Sequence, residues 1–554
     1  MKNLVSIFAG HDASVSFWNA ETDKYYTIEI ERLVKKRYFR LHEDNSPEEQ
    51  KNILEQCRDI AEKEWGIKND YEAVLICSDG YVQTDPTEIF NTEKVTTVAR
   101  HHETHAAAAF YQSPFCEEDG ANHKYWVGPG PFDFKTDNDT IIFSFDGGGD
   151  DGHMNIYNAT SDGEIKLLDT IKSDFGGGYL LCASMIREVA ESSRHQLALS
   201  GKMMGLVAYG SVIEHHTKAF TDFFFDRDYR KLAERTKLPL KNLDNPWDNP
   251  LKNWVFEGKG GYDVAKTAQA SFEAAVDKVL SKFRTKNELK WAYQPLIITG
   301  GCALNVLMNE VFKRVWCEKS FYVPPNPHDG GLSLGHLFLY RKPTRRVDVT
   351  YSGLPLLDRD KLQSYVDEYG ARKVNKIEIA QLIKGGKILG LVYGDSEVGP
   401  RSLGNRSIVC DPNIADMKDI LNSKVKFREW YRPFAPFCKK EDAHKYFGSA
   451  NFDNSEYMSY APFVHKEYRE KLPSITHADN TARLQTVTEE SHPIFYEILT
   501  HFGEISETNV LLNTSFNIRG YPILSTIEDA LYALNNTEMD YVVIEDYLFS
   551  KKVK

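Results

Sequence analysis

Short apolar runs in this chain repeatedly end in polar turns built around glycine, and this pattern constrains the fold more than any other feature. Residues 5–9 run into the turn 10–12, residues 141–145 into the segment DGGGDDGH, and residues 388–393 into a turn rich in Gly and Arg. Runs this short, bounded by turn residues, predict buried strands. Further strands are predicted at 13–18, 24–30, 74–77, 295–299, 510–512 and 541–544. Between them lie helical spacings. Residues 47–66 set Ile53, Cys57, Ile60, Ala61 and Trp65 on one face, and 264–283, 377–383 and 526–534 read the same way. The fold class is α/β throughout, with no internal repeat.

A chain of 554 residues exceeds one ordinary core. The segment KPTRRVDVTYSG at 342–353 breaks the pattern with Pro, charge and Gly. It predicts a first domain over 1–345, a linker over 346–375 and a second domain over 376–554. Residues 227–262 are polar and irregular, and read as an excursion from the core. The formal charge of −13 argues against a protein that coats a nucleic-acid polymer, because phosphate binding needs a clustered basic surface. Eight scattered cysteines without a CxxC pair exclude a disulfide framework and a cysteine zinc site. No leader and no membrane-length apolar stretch is visible, so a cytoplasmic protein without a membrane partner is expected.

Two constellations carry chemistry. In HHETH at 101–105, His101 and His105 share one helical face and can converge on an ion, although His102 offers a competing spacing. Asp146 stands at the end of an apolar strand before a glycine turn, where backbone amides can approach an anion, and Asp329 likewise precedes a Gly pair and then a predicted helix. Two His and two Asp make a mixed nitrogen–oxygen set suited to a divalent metal of intermediate softness such as Fe, Mn or Zn.

The second constellation is basic. GDSEVGPRSLGNRS carries Arg401 and Arg406, and NSKVKFREWYRPFAPF carries Lys424, Lys426, Arg428 and Arg432. Guanidinium groups grip phosphate oxygens bidentately and lysine adds a point charge. HADNTARLQTV adds His477, Asp479 and Arg483, while LLNTSFNIRGYPI adds Asn513, Ser515 and Asn517 after a strand, a position suited to ribose or base contacts. With no GxxxxGK[ST] present, this is not a P-loop enzyme.

These motifs, together with GHDAS at 10–14, ERLVKKR at 31–37, SGKMMGLVAYG at 200–210 and GGCALNVLMN at 300–309, occur in an order that resembles one family. It is the carbamoyltransferase family that includes tobramycin O-carbamoyltransferase and the nodulation protein NodU. HHETH also resembles the HxEAH metal motif of the universal tRNA threonylcarbamoyltransferase. The resemblance implies an N-terminal actin-like (ASKHA) domain holding Fe(II) or a similar divalent metal on His101, His105, Asp146 and Asp329. It puts His11 beside the transferred group, with Asp12 as its catalytic neighbour. It also implies a C-terminal YrdC-like domain making carbamoyl adenylate from ATP, Mg²⁺ and carbamoyl phosphate. There Lys426 and Arg432 are expected to be catalytic, and Arg401, Arg406, Lys424, Arg428, His477, Arg483, Asn513 and Ser515 to bind the nucleotide and carbamoyl phosphate. The family pattern HxDGTAR is altered here to Asp479-Asn480, and Asn also tolerates the left-handed turn. The expected activity is carbamoylation of a hydroxyl on a small sugar-, antibiotic- or nucleotide-type metabolite, with the oligomeric state left open. Threonylcarbamoyl transfer to tRNA fits the acidic chain poorly, and a non-catalytic nucleotide-binding scaffold needs neither constellation.

Overall fold

The computed structural model describes residues 1–43, 45–77, 82–98, 100–116, 140–149, 152–160, 162–238, 254–286, 295–315, 321–448 and 455–552. Its first sheet opens as a meander, Asn3–Phe8 pairing antiparallel with Ser14–Asn19 and that strand with Lys24–Glu29. Tyr71–Cys77 and Val95–Val98 extend the sheet in parallel from Asn3–Phe8. Every residue of Asn3–Phe8 and Ser14–Asn19 is buried, as in strands covered on both faces, so neither shows an alternating pattern.

The second sheet repeats this order. Thr140–Phe145 pairs antiparallel with Met154–Ala159, which pairs with Ile165–Ile171. Leu296–Thr299 and Phe321–Tyr322 then add on in parallel. The sequence holds no repeat because the topology is duplicated while the side chains are not. In each copy a helix follows the fifth strand: His101–Gln112 in the first, and Leu332–Arg341 after a short turn at Asp329–Gly331 in the second. The two helices share one apolar core with both sheets, through Ala106, Ala107, Phe110, Leu334, Leu337, Ile142 and Leu75. They cross closely. A Cβ added to Gly335 would lie 2.2 Å from the carbonyl oxygen of Thr104, so only glycine fits there.

The third sheet has eight strands spanning Arg372–Lys373 to Tyr547–Ser550, flanked by an apolar cluster around Ile408, Leu512 and Phe516 and another around Val409, Leu511 and Phe495. It begins inside the expected linker. Residues 346–375 carry the helix Leu362–Tyr369 and the strand Arg372–Lys373, which pairs with Tyr547–Ser550. The expected excursion also holds structure, since Asp228 caps the helix Tyr229–Thr236 and the long helix Gly258–Lys286 begins within it. Residues 239–253 lie outside the described residues. No helix among the described residues is long and apolar enough to cross a membrane.

One buried arginine joins the halves. Arg32 pairs with Glu29 at 2.7 Å and donates to Ser396 Oγ (3.0 Å), the Glu397 carbonyl (2.5 Å) and the Gly399 carbonyl (2.6 Å). Gly399 has φ of 110°, and a Cβ there would meet the Pro325 carbonyl at 2.4 Å, so the two backbones touch. Removing Arg32 leaves Glu29 buried without its partner. Arg32→Ala is expected to cost about 3–5 kcal/mol in denaturant unfolding, with Arg32→Lys recovering only part because one ammonium cannot reproduce the fork.

A second expectation concerns acid. His492 caps the helix Pro493–Ile505 by accepting from the Phe495 N–H at Nδ1, and its Nε2 faces Asn405 Oδ1 at 3.1 Å. Both contacts suit the neutral ring, and burial lowers its pKa to about 4. The unfolded chain therefore binds the extra proton first, so stability falls as pH drops from about 6.5 towards 4. Thermal melts across that window should show a shallower slope for His492→Asn.

Candidate functional site

Equivalent positions of the duplicated sheets meet at one point. The hairpin turn of the first sheet brings His11 and Asp12, with Asp12 at φ of 59°, and that of the second sheet brings Asp146. The helix after the first sheet supplies His101 and His105 from its first turns, and the turn before the second helix supplies Asp329. One ligand atom from each of His101, His105, Asp146 and Asp329 falls within 4.8 Å of all the others, and all four residues are buried. His105 Nε2 lies 3.2 Å from His101 Nε2, 3.4 Å from Asp146 Oδ2 and 3.3 Å from Asp329 Oδ1. One proton on a ring nitrogen serves only one of these three contacts, whereas a cation serves all four residues. Asp329 Oδ1 is buried without a hydrogen bond, which an ion also remedies. The residues therefore fit a divalent cation on both geometry and donor chemistry.

His102, the competing spacing, turns away. Its Nδ1 faces Ser144 Oγ at 2.9 Å and its Nε2 faces the Gly152 carbonyl at 3.0 Å, and burial lowers its pKa to about 4. It ties the helix carrying His101 and His105 to the second sheet as a neutral ring. Asp146 accepts from the Gly147 amide (2.5 Å) and the Gly301 amide (2.6 Å). Burial opposes its charge, but His105, then His101 and the Gly301 amide, hold it well below the usual carboxylate range. His11 Nε2 reaches Asp329 Oδ2 at 3.2 Å and its Nδ1 reaches Asp12 Oδ2 at 3.0 Å. Burial pulls its pKa down, yet Asp329 and then Asp12 outweigh that and raise it to about 10. The charge on His11 thus depends on whether Asp329 is neutralised.

A cavity of about 960 Å³ contains His11, Asp12, Asp146 and Asp329 together with Arg401, Lys426, Arg428, Arg432, His477, Arg483 and Ser515 from the other half. Asp146 and Asp329 thus share one space with the basic cluster, while His101 and His105 lie outside its lining. Lys426 donates to the Ser515 carbonyl (2.6 Å), the Asn517 carbonyl (2.8 Å) and Asn517 Oδ1 (2.5 Å), with Ser515 Oγ a fourth acceptor at 3.2 Å, so its protons are engaged within the protein. Burial, then mutual repulsion, drives Arg483 and Arg428 well below the ordinary guanidinium range and Arg401 to about 10. The carboxylate within the cluster, Glu429, is engaged by Lys202 at 2.9 Å. So many half-buried like charges lining one cavity favour a bound polyanion. His477 and Thr481 close a turn through Nδ1 and Oγ1 at 3.1 Å, and Asn480 takes φ of 66°, the left-handed conformation expected of it.

Three residues expected at the nucleotide do not line the cavity. Arg406 is fully buried behind the cavity and donates to the carbonyls of Tyr393, Asn405 and Gly394, which holds the turn at the end of its strand. Asn513 lies inside the sheet, bridging the Ser402 carbonyl and Gln485 Oε1, so it braces the segment that carries Arg401. Lys424 points to solvent because it lies on the outer side of the π-helical turn Leu421–Val425. Sequence reasoning missed Asp174, which caps the helix Phe175–Ser184 and lines the cavity. The SDFGGGY segment holding it repeats the Asp-before-glycine signal of Asp146 and Asp329.

Substitution separates these roles. His105→Ala and Asp146→Ala should abolish stoichiometric divalent-ion binding, measured by elemental analysis after reloading. His102→Gln should keep the ion and lower the melting temperature.

The model of the carbamoyltransferase N-terminus matches residues 11–337, and that of the carbamoyltransferase C-terminus matches residues 380–551. An uncharacterised protein of Synechocystis sp. is 29% identical over 81% of this chain and 75% of its own length. Nodulation protein NolNO of Sinorhizobium fredii is 28% identical over 86% of this chain and 66% of its own, and nodulation protein NolO of Bradyrhizobium diazoefficiens is 28% identical over 82% and 79%. A HypF structure described as phosphate- and nucleotide-bound aligns with a TM-score of 0.30 at 12% identity, covering 61% of this chain and 46% of that one, a likeness too slight to bear on the fold. With both halves of the family matched across most of its length, the chain belongs to the carbamoyltransferase family and is a carbamoyltransferase.

Proposed function

We propose that the protein is an ATP-dependent O-carbamoyltransferase that forms carbamoyl adenylate at its cationic cluster and passes the carbamoyl group to a small hydroxyl acceptor near His11. The observation that carries this reading is the cavity lined by His11, Asp146 and Asp329 from one half and by the basic cluster from the other. The repeated strand order of the first two sheets supports an actin-like N-terminal domain, and the cluster at one end of the mixed third sheet supports a YrdC-like C-terminal one.

At the cluster, water releases phosphate from carbamoyl phosphate, and the resulting carbamate attacks the α-phosphorus of ATP. Pyrophosphate departs with the electron pair of the broken phosphoanhydride bond. Arg401, Arg428, Arg432 and Arg483 face the cavity and meet the charge gathering on the phosphoryl oxygens. Lys426, pinned by Ser515 and Asn517, fixes the position of that wall. Mg²⁺ accompanies the nucleotide.

At the other end, His101, His105, Asp146 and Asp329 are the residues that would hold Fe(II) or a similar ion. Such an ion supplies Lewis acidity towards a carbonyl or phosphoryl oxygen. His11, oriented by Asp12, stands where the acceptor's proton must leave as its oxygen attacks the carbamoyl carbon and AMP departs. The acceptor is a small molecule, and neither a nucleic-acid polymer nor a membrane takes part.

Mass spectrometry after incubation with ATP, carbamoyl phosphate and an acceptor panel tests the reading by the gain of one carbamoyl group. Arg432→Ala should lower carbamoyl-adenylate formation by about 10²–10³-fold, whereas His105→Ala should leave that step and stop transfer. Equal loss of adenylate in both variants contradicts the division of labour.

A further inference from the structure

The cavity carries more positive charge than adenylate formation uses. On that reading Arg401, Arg428, Arg432 and Arg483 serve the phosphates of ATP and carbamoyl phosphate, with Lys426 pinned by Ser515 and Asn517 and Glu429 held by Lys202. A second group of cations lines the part of the cavity formed by residues 35–40, 192–197 and 517–520. Two of them are neutralised locally, Lys35 by Asp529 at 2.8 Å and Arg40 by Glu43. Arg194 and Arg519 have no ion-pair partner among the described residues, and Arg37 has none within 4 Å, although the nearby carboxylates of Glu31 and Asp12 offset part of its charge.

These three guanidinium groups belong to one continuous wall. Arg37 lies 4.8 Å from the centroid of the Tyr38 ring and donates to its hydroxyl at 3.0 Å. Tyr38 stacks on His195, with centroids 4.7 Å apart and planes 22° from parallel. Arg194 precedes His195 in the chain, and its Nη1 lies 3.5 Å from where a Cβ on Gly520 would stand, which sets it against the turn carrying Arg519. The wall therefore runs from the N-terminal half, which carries His11 and Asp12, across to the C-terminal half. All of these residues line the same cavity. In a chain of net charge −13, unpaired guanidinium groups beside flat rings form a surface that recognises an anion.

We propose that the hydroxyl acceptor is a phosphate monoester, its phosphate held by Arg37, Arg194 and Arg519 while its hydroxyl reaches the carbamoyl carbon near His11. This rests on the carbamoyl-transfer reading above and adds the class of the acceptor. The phosphate itself undergoes no bond change. It anchors the molecule by bidentate contacts, and the Tyr38–His195 pair offers a flat side for the attached ring.

Matched pairs test it: thymidine 5′-monophosphate against thymidine, and glucose 6-phosphate against glucose. Each is titrated calorimetrically into the full chain saturated with α,β-methylene-ATP, so that the nucleotide cluster is filled. The monoester of a pair should bind at least about tenfold tighter than its alcohol, and in an Arg194→Gln/Arg519→Gln variant the ratio should fall to about unity. Equal binding of monoester and alcohol in both pairs overturns the proposal, as does a preference that survives the double substitution. The wild-type comparison stands alone if that variant does not fold. Pyrophosphate release from ATP and carbamoyl phosphate in wild-type protein is scored separately. Its absence defeats the carbamoyl-transfer reading, whereas its presence without a monoester preference defeats only the acceptor class.

Discussion

The close crossing of the helices His101–Gln112 and Leu332–Arg341 is the contact on which the rest of the N-terminal half depends. Gly335 lets one helix approach the Thr104 carbonyl of the other, and the buried alanines 106–109 keep that approach tight. A bulkier residue at either place would separate His101 and His105 from Asp329, whose atoms meet at 3.3–3.6 Å. The alanine run beside the histidines is therefore part of the site, although it carries no chemistry. Its small side chains set the distance at which two elements from different sheets present their ligands.

The C-terminal cluster obeys a different constraint. Its charges are brought together against their mutual repulsion by backbone and side-chain acceptors: Ser515 and Asn517 for Lys426, and Asn422 Oδ1 and the Pro433 carbonyl for Arg428. Such preorganisation costs folding stability and favours an anion that arrives later. Arg32 and Gly399 then fix the segment leading to Arg401 against the N-terminal half, close to the loop that ends at Asp329. The basic cluster and Asp329 thus share a frame as well as a cavity.

Much of this was legible in the sequence because it rests on local pattern. Predicted helix 47–66 is Pro47–Trp65, and strand 141–145 lies within Thr140–Phe145, each marked by apolar spacing and a turn or cap. The convergence of His101, His105, Asp146 and Asp329 was readable only as candidates, because spacing on one helix cannot tell that His102 bonds Ser144 across the core. Arg406 and Asn513 sit in strongly polar motifs, and nothing local reveals that they point into the protein and serve carbonyls there. Arg37, Arg194 and Arg519 come from three distant segments and become a group only through the Tyr38–His195 stack and the Gly520 turn. The duplicated topology escaped for a similar reason. Strand order is a property of hydrogen bonding, and the two copies have diverged in nearly every side chain.

That duplication has a consequence for how such a centre can change. The hairpin turn of the first sheet offers an imidazole beside a carboxylate, and the same turn of the second sheet offers a carboxylate cradled by amides. Each turn is anchored in its own sheet, so a substitution in one leaves the other's backbone untouched. A centre assembled on the axis between two copies can therefore be retuned one side at a time, with the partner turn holding the architecture while its counterpart explores new chemistry.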